Sequence, residues 1–245
     1  MSSPSLLPRN FIIPFILVTT LFSLWGFAND ITNPMVAAFK NVLLLSHFES
    51  SLVQAAFYGG YCVMAIPAAL FIRRFTYKSG ILAGLVLYAL GCLLFIPAGN
   101  ARDFSFFLAA YFIMTSGLAF LETTANPYIL SMGPEETAAR RLNFAQAFNP
   151  VGSLMGMFVA KDFILGRLDP ADETARRAMA ESAPEAFQKI QIADLAVIVG
   201  PYAILGGVVL LAMVAFALAK LPDSTSTESR AGTVGASLGR LLRTP

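Results

Sequence analysis

Six stretches of this 245-residue chain are apolar for about as long as a helix needs to cross a lipid bilayer, and that property decides most of what the chain can become. They cover residues 11–39, 52–72, 81–98, 104–132, 144–160 and 195–221. A hydrocarbon core of about 30 Å is spanned by roughly 20 residues of α-helix. Inside it, every backbone polar group must be satisfied within the segment. The fold class is therefore all-α, a polytopic membrane protein with six transmembrane helices. Composition agrees, because only 13% of the residues are charged where soluble domains carry about 25%.

The first run follows Arg9 but is longer than the apolar core of a signal peptide, and no small-x-small cleavage site closes it. It is expected to remain as a span. Cys62 and Cys92 lie inside spans without metal-ligand spacing and read as small core hydrophobes. Arg73, Arg74, Lys78, Arg140 and Arg141 fall in alternate loops, and Arg9, Lys220, Arg230, Arg240 and Arg243 flank the bundle on that same side. The positive-inside rule makes this side cytoplasmic, with both ends of the chain inside. The opposite side has Lys40 and Arg102 in short loops. It also has a segment, 161–192, whose basic residues are diluted by six acids. That segment is expected outside the membrane with one or two short surface helices, the second over 184–190. The net charge of +2 is scattered over loops rather than gathered with aromatics, which argues against a nucleic-acid partner.

Residues 1–221 thus read as one six-helix domain with membrane lipid around it. The tail, 222–245, is rich in Ser, Thr and Gly as far as Ala236, as a flexible linker is. It ends in an amphipathic start, Ser237-Leu-Gly-Arg-Leu-Leu-Arg243, with nothing after it.

Two acids stand near the ends of apolar runs, Asp30 and Glu122, each just ahead of an Asn-Pro pair. Acids in lipid are costly and usually functional. Aligning Phe27-Ala-Asn-Asp-Ile-Thr-Asn-Pro34 with Phe120-Leu-Glu-Thr-Thr-Ala-Asn-Pro127 on the prolines sets Glu122 opposite Asn29, one position from Asp30. Spans one to three and four to six read as repeats. With three spans each, these repeats must be inverted, as in transporters. At about 100° per residue, Trp25, Asn29 and Asn33 share a stripe of span one, and Glu122 and Asn126 share one of span four. Gln146 and Asn149 make a third stripe on span five. Such amides could bind the hydroxyls of a sugar, with Trp25 covering its apolar face. They could equally bond neighbouring helices while Trp25 packs and the prolines bend their spans. Glu122 has no basic residue in its span to neutralise it. Apolar surroundings disfavour the charged form of an acid, so Glu122 reads as a proton carrier.

Five ordered stretches resemble the L-fucose:proton symporter group of the major facilitator superfamily. They are Phe22-Ser-Leu-Trp-Gly-Phe-Ala-Asn29, Gln54-Ala-Ala-Phe-Tyr-Gly-Gly-Tyr61, Tyr77-Lys-Ser-Gly-Ile81, Leu121-Glu-Thr-Thr-Ala-Asn-Pro-Tyr128 and Arg141-Leu-Asn-Phe-Ala-Gln-Ala-Phe-Asn149. The resemblance covers the whole chain but only the amino-terminal six-helix half of a twelve-helix fold. It implies a sugar:proton symporter in a bacterial inner membrane, taking L-fucose or a related hexose. The coupling ion is H+, with no cofactor and no metal, and the partner is a missing carboxy-terminal half or a second copy. It makes Glu122 the protonatable carboxylate and puts Trp25, Gln146 and Asn149 at the sugar cavity. Where the group has its second membrane acid this chain has Asn33, and its own acid, Asp30, lies three residues earlier.

Two other classes compete. Six spans and two Asn-Pro pairs also resemble an aquaporin-like water or polyol channel, but there each Asn caps a re-entrant half-helix and is followed by Pro-Ala. Here the pairs continue with Met35 and Tyr128. A membrane enzyme lacks its parts, because His47 is the sole histidine and there is no Gly-x-Ser-x-Gly elbow. The expectation is a transporter and not an enzyme.

Overall fold

The computed structural model describes residues 6–222, so the linker expected over 222–245 lies outside the described residues apart from Pro222. Nine α-helices fill the described part: α1 (Ile12–Thr32), α2 (Met35–Leu43), α3 (His47–Arg74), α4 (Tyr77–Ala101), α5 (Phe104–Ser131), α6 (Ala138–Gln146), α7 (Asn149–Phe158), α8 (Glu173–Ser182) and α9 (Pro184–Leu218). Five helices are long and apolar enough to cross a membrane, over Arg9–Thr32 and in α3, α4, α5 and α9.

Two expected spans are not continuous helices. Span one stops at Thr32 and resumes at Met35, and span five is divided into α6 and α7 at Ala147–Phe148 before a π-helical turn over Val159–Ile164. Proline explains both breaks. Pro34 and Pro150 lack the N–H that would bond the carbonyls of Asp30 and Gln146, one turn back. Pro127 removes the corresponding bond to Thr123, yet α5 runs through it unbroken. The residues around Pro127 are buried among α3 and α4, whereas Phe148, Pro150 and Val151 are exposed. The expected surface helix over 184–190 is the first part of α9, and ahead of it the segment holds one short α-helix, α8. His47 is the exposed first residue of α3, whose capping box is closed by Ser46 and Glu49.

The helices pack as pairs, α4 on α5, α3 on α5, α1 on α7 and α4 on α9. The α1–α7 seam is closed backbone to backbone. A Cβ at Gly26 would fall on the Asn149 carbonyl and one at Gly152 on the Ser23 carbonyl, so only glycine fits at either position. Toward the Lys40 end, Phe95 stacks on Tyr202 at 3.9 Å between ring centres, and the Tyr111 and Tyr202 hydroxyls share a 2.8 Å hydrogen bond.

Two arginines read from sequence as loop charges are fully buried. Arg141 donates to the carbonyls of Ile129 (3.3 Å), Leu130 (2.8 Å) and Pro134 (2.9 Å), closing the exposed end of α5. A cation at a helix C-terminus satisfies carbonyls that have no intrahelical partner. Lys78 does the same for α9, donating to the Ala217 and Ala219 carbonyls at 2.8 Å. On the opposite face, Arg176 of α8 is ion-paired with Asp194 of α9 and donates to the Asp169 carbonyl at 3.0 Å. There the partly exposed Glu173 also bonds Lys40 at 2.8 Å and Arg177 at 3.0 Å.

Candidate functional site

A cleft of about 500 Å³ opens on one side of the bundle, lined by Phe22, Trp25 and Asn29 of α1, Tyr58 and Tyr61 of α3, Glu122 of α5, Gln146 of α6 and Asn149 of α7. Four pieces of chain far apart in sequence therefore meet at one wall. The breaks described above help to build it. With α6 ending at Gln146 and α7 starting at Asn149, both amides face the same space.

Five of the residues singled out in the sequence line this cleft: Trp25, Asn29, Glu122, Gln146 and Asn149. Trp25, the only tryptophan in the chain, rests on Phe22 with ring centres 6.3 Å apart. Asn149 donates through Nδ2 to the Phe22 carbonyl at 3.3 Å, which orients its amide and leaves Oδ1 as an acceptor toward the cleft. Ser23 donates to the Phe148 carbonyl at 3.0 Å, so the broken turn of span five is stitched to α1. Glu122 is half-buried, and no hydrogen bond or ion pair from the described residues reaches its carboxyl group.

Three other residues lie elsewhere. Asn126 is one turn past Glu122 and accepts from Gln146 Nε2 at 3.3 Å, so it supports the cleft without lining it. Asn33 is beyond the end of α1, exposed, accepting from Gln54 Nε2 at 3.1 Å and donating weakly to Asp30 at 3.5 Å. The stripe of Trp25, Asn29 and Asn33 stops being a stripe where the helix stops. Asp30 turns toward this second polar group between α1 and α3 and away from Trp25.

Tyr58 and Tyr61 were not singled out by sequence reasoning. They follow Gln54 at i+4 and i+7, a helical stripe of polar-tipped side chains within span two. That spacing was available, but tyrosine is common enough in apolar spans that the stripe has no meaning until α3 is seen to face the cleft. Among the described residues no group of three His, Cys, Asp or Glu side chains could hold a metal ion.

The arrangement offers a carboxylic acid, three amides and a flat indole around a space with room for a hexose. Amides donate and accept, so together they suit a ligand dense in hydroxyls.

Comparison with known proteins gives the same direction. The family model of the Major Facilitator Superfamily matches residues 16–245. The L-fucose-proton symporter of Haemophilus influenzae is 54% identical over 218 residues, covering 88% of this chain and 51% of that protein. The glucose/galactose transporter of Brucella abortus is 37% identical over 167 residues, 68% of this chain and 40% of its own length. A solved structure, the transporter FucP in the outward conformation, superposes with a TM-score of 0.80 at 35% identity and covers 96% of this chain and 57% of that one. The chain spans about half the length of the curated relatives it matches. It belongs to the Major Facilitator Superfamily, in the group that contains the L-fucose-proton symporters.

Proposed function

We propose that this chain is the amino-terminal half of a sugar:proton symporter that takes up L-fucose or a related hexose across a bacterial inner membrane. The observation that carries the reading is the cleft itself: one half-buried carboxyl group without a partner among the described residues, set among the amides of Asn29, Gln146 and Asn149 and the face of Trp25. In this mechanism Glu122 takes up a proton from the outer side, the neutral site accepts the sugar, and loss of the proton to the inner side accompanies release. Moving one proton down 100 mV releases about 2.3 kcal/mol. At about 1.4 kcal/mol per tenfold, that supports a gradient of neutral sugar of roughly fifty-fold. Asp30, paired loosely with Asn33, is a second and more peripheral acid in this reading.

The proposal includes six spans. The fifth is made of α6, α7 and the π-helical turn, and the first of α1 and α2, giving two inverted units of three. It also puts both chain ends on the cytoplasmic side, with the face of Arg73, Lys78 and Arg141. The segment 161–192 is then periplasmic. The cleft opens toward a carboxy-terminal half or, failing that, a second copy. The channel alternative loses its main support, because a re-entrant half-helix would have to begin at Asn126 and α5 instead runs on to Ser131.

The test is sugar-induced alkalinisation of weakly buffered cells offered L-fucose, galactose and glucose in turn. Cells with this chain alone are expected to give no pH rise, and cells that also express a carboxy-terminal half are expected to give one with the true substrate. Glu122→Gln in the complete carrier is expected to abolish accumulation while sugar exchange continues. Uphill uptake by that variant would remove Glu122 from the proton path.

A further inference from the structure

The cleft wall contains a second group with an uncommitted hydrogen. The Tyr61 hydroxyl is shut off from solvent and meets no acceptor among the described residues. The indole N–H of Trp25 lies against it and can only donate, so the phenol hydrogen is left over. A buried donor left this way is costly. Tyr61 sits on α3 against Phe57, with ring centres 5.8 Å apart, and α3 is packed along α5, which carries Glu122. Both residues line the cleft, and the hydroxyl lies within electrostatic reach of the Glu122 carboxyl group. One phenol with a hydrogen to donate and one carboxyl group able to accept thus stand on one wall, neither of those capacities used among the described residues.

We propose that Tyr61 is the positioning residue for the proton step, donating its hydroxyl hydrogen bond to Glu122 when Glu122 is ionised and releasing it when Glu122 is protonated. The inference rests on the reading of Glu122 as the proton carrier. A carboxylate in an apolar span needs a donor, and hydrogen bonds to charged groups are roughly twice as strong as those between neutral ones. Protonation weakens the acceptor, so the bond ties the conformation of the α3–α5 wall to the charge of Glu122. The other donors at the cleft stand on other helices. α1 presents Asn29 and Trp25, whose indole N–H lies against Tyr61, with Asp30 turned toward Asn33. Tyr88 of α4 donates to the Leu24 carbonyl at 2.9 Å, and Gln146 Nε2 and Asn149 Nδ2 each give one hydrogen to Asn126 and the Phe22 carbonyl. Tyr58, also on α3, is exposed at the cleft mouth.

The test uses the 245-residue chain in lipid vesicles and the emission of Trp25, its only tryptophan, as the reporter. Without sugar, the wild-type emission is expected to change with pH through one midpoint, and Glu122→Gln is expected to remove that transition. Tyr61→Phe keeps the ring and removes only the hydroxyl. Its midpoint is expected at least about one pH unit higher, a tenfold tighter hold on the proton, because the ionised form has lost a charge-assisted bond. An unchanged midpoint in Tyr61→Phe overturns the proposal. Should that variant fail to insert, pH-difference infrared spectra of the wild type decide: the tyrosine C–O band must shift with the carboxylate band over the same pH interval, and a silent tyrosine band overturns it. Sugar titrations of the same emission test the proposed function separately. A wild type that titrates but ignores every sugar would sink the substrate and spare Tyr61, whereas a wild type with no pH transition would sink the role of Glu122 and Tyr61 together.

Discussion

Asp194 and Glu122 are both acids on helices long and apolar enough to cross a membrane, but the molecule treats them in opposite ways. Asp194 is 2% exposed and fully answered: Arg176, itself buried, is ion-paired with it, and the Asp169 N–H donates to it at 2.9 Å. Glu122 lies open to the cleft, and among the described residues no cation pairs with it and no donor bonds it. A buried charge that is paired on all sides holds two elements together, here α8 against α9. One left unpaired adds nothing to stability and is free to exchange a proton. Position in an apolar span does not tell these two acids apart, whereas the presence of a partner does.

The sharpest way to break this comparison is Arg176→Met, which strands Asp194. Breaking a buried pair by removing one partner costs about 3–5 kcal/mol, so a large fall in unfolding temperature in detergent is expected. Adding Asp194→Leu to that variant removes the stranded charge and is expected to recover most of the loss, since apolar replacement of a buried pair is often close to neutral. If the double variant is as unstable as the single one, packing rather than charge explains the role of Arg176. Glu122→Gln is expected to leave the unfolding temperature almost unchanged, within about 0.5 kcal/mol, while removing the pH transition of Trp25 emission. A strong destabilisation there would make Glu122 a structural acid after all.

The smallest effect belongs to a third acid, Glu173, partly exposed on the face that carries Lys40. Hydrogen bonds from Lys40 first and Arg177 second hold its carboxyl group below the usual carboxylate range. A depressed folded value means that the unfolded state binds the proton more tightly. The contribution is therefore present above the ordinary Glu value of about 4.3 and is lost as pH falls through the folded one. The wild type is expected to lose a slight increment of unfolding temperature on acidification below about pH 4 that Glu173→Gln does not lose. Solvent screening keeps this effect minor.

The two Asn-Pro pairs show how far local sequence can be read. Both were equivalent as text, each following an acid, and both prolines remove one helical bond. Asn33-Pro34 ends α1 and turns Asn33 out to Gln54, while Asn126-Pro127 stays inside α5 and directs Asn126 to Gln146. A third pair, Asn149-Pro150, starts α7. Missing one bond bends a helix or breaks it according to what packs around it, and packing is not written in a window of eight residues.

Membrane helices follow from the sequence alone because the bilayer imposes one length and one polarity on every span. α3, α4 and α5 accordingly lie close to their expected limits. Trp25, Asn29, Glu122, Gln146 and Asn149 were also legible, since polar side chains inside apolar runs are rare and costly enough to stand out. The tertiary structure decided which of these polar groups meet. It brought Tyr58 and Tyr61 to the same wall, withdrew Asn33 and Asp30 from it, and gave Arg141 and Arg176 buried partners that made them structural. The reason is that the solvent acts on each residue separately and is read from composition. A partner is instead a matter of distance between helices, which only their packing fixes.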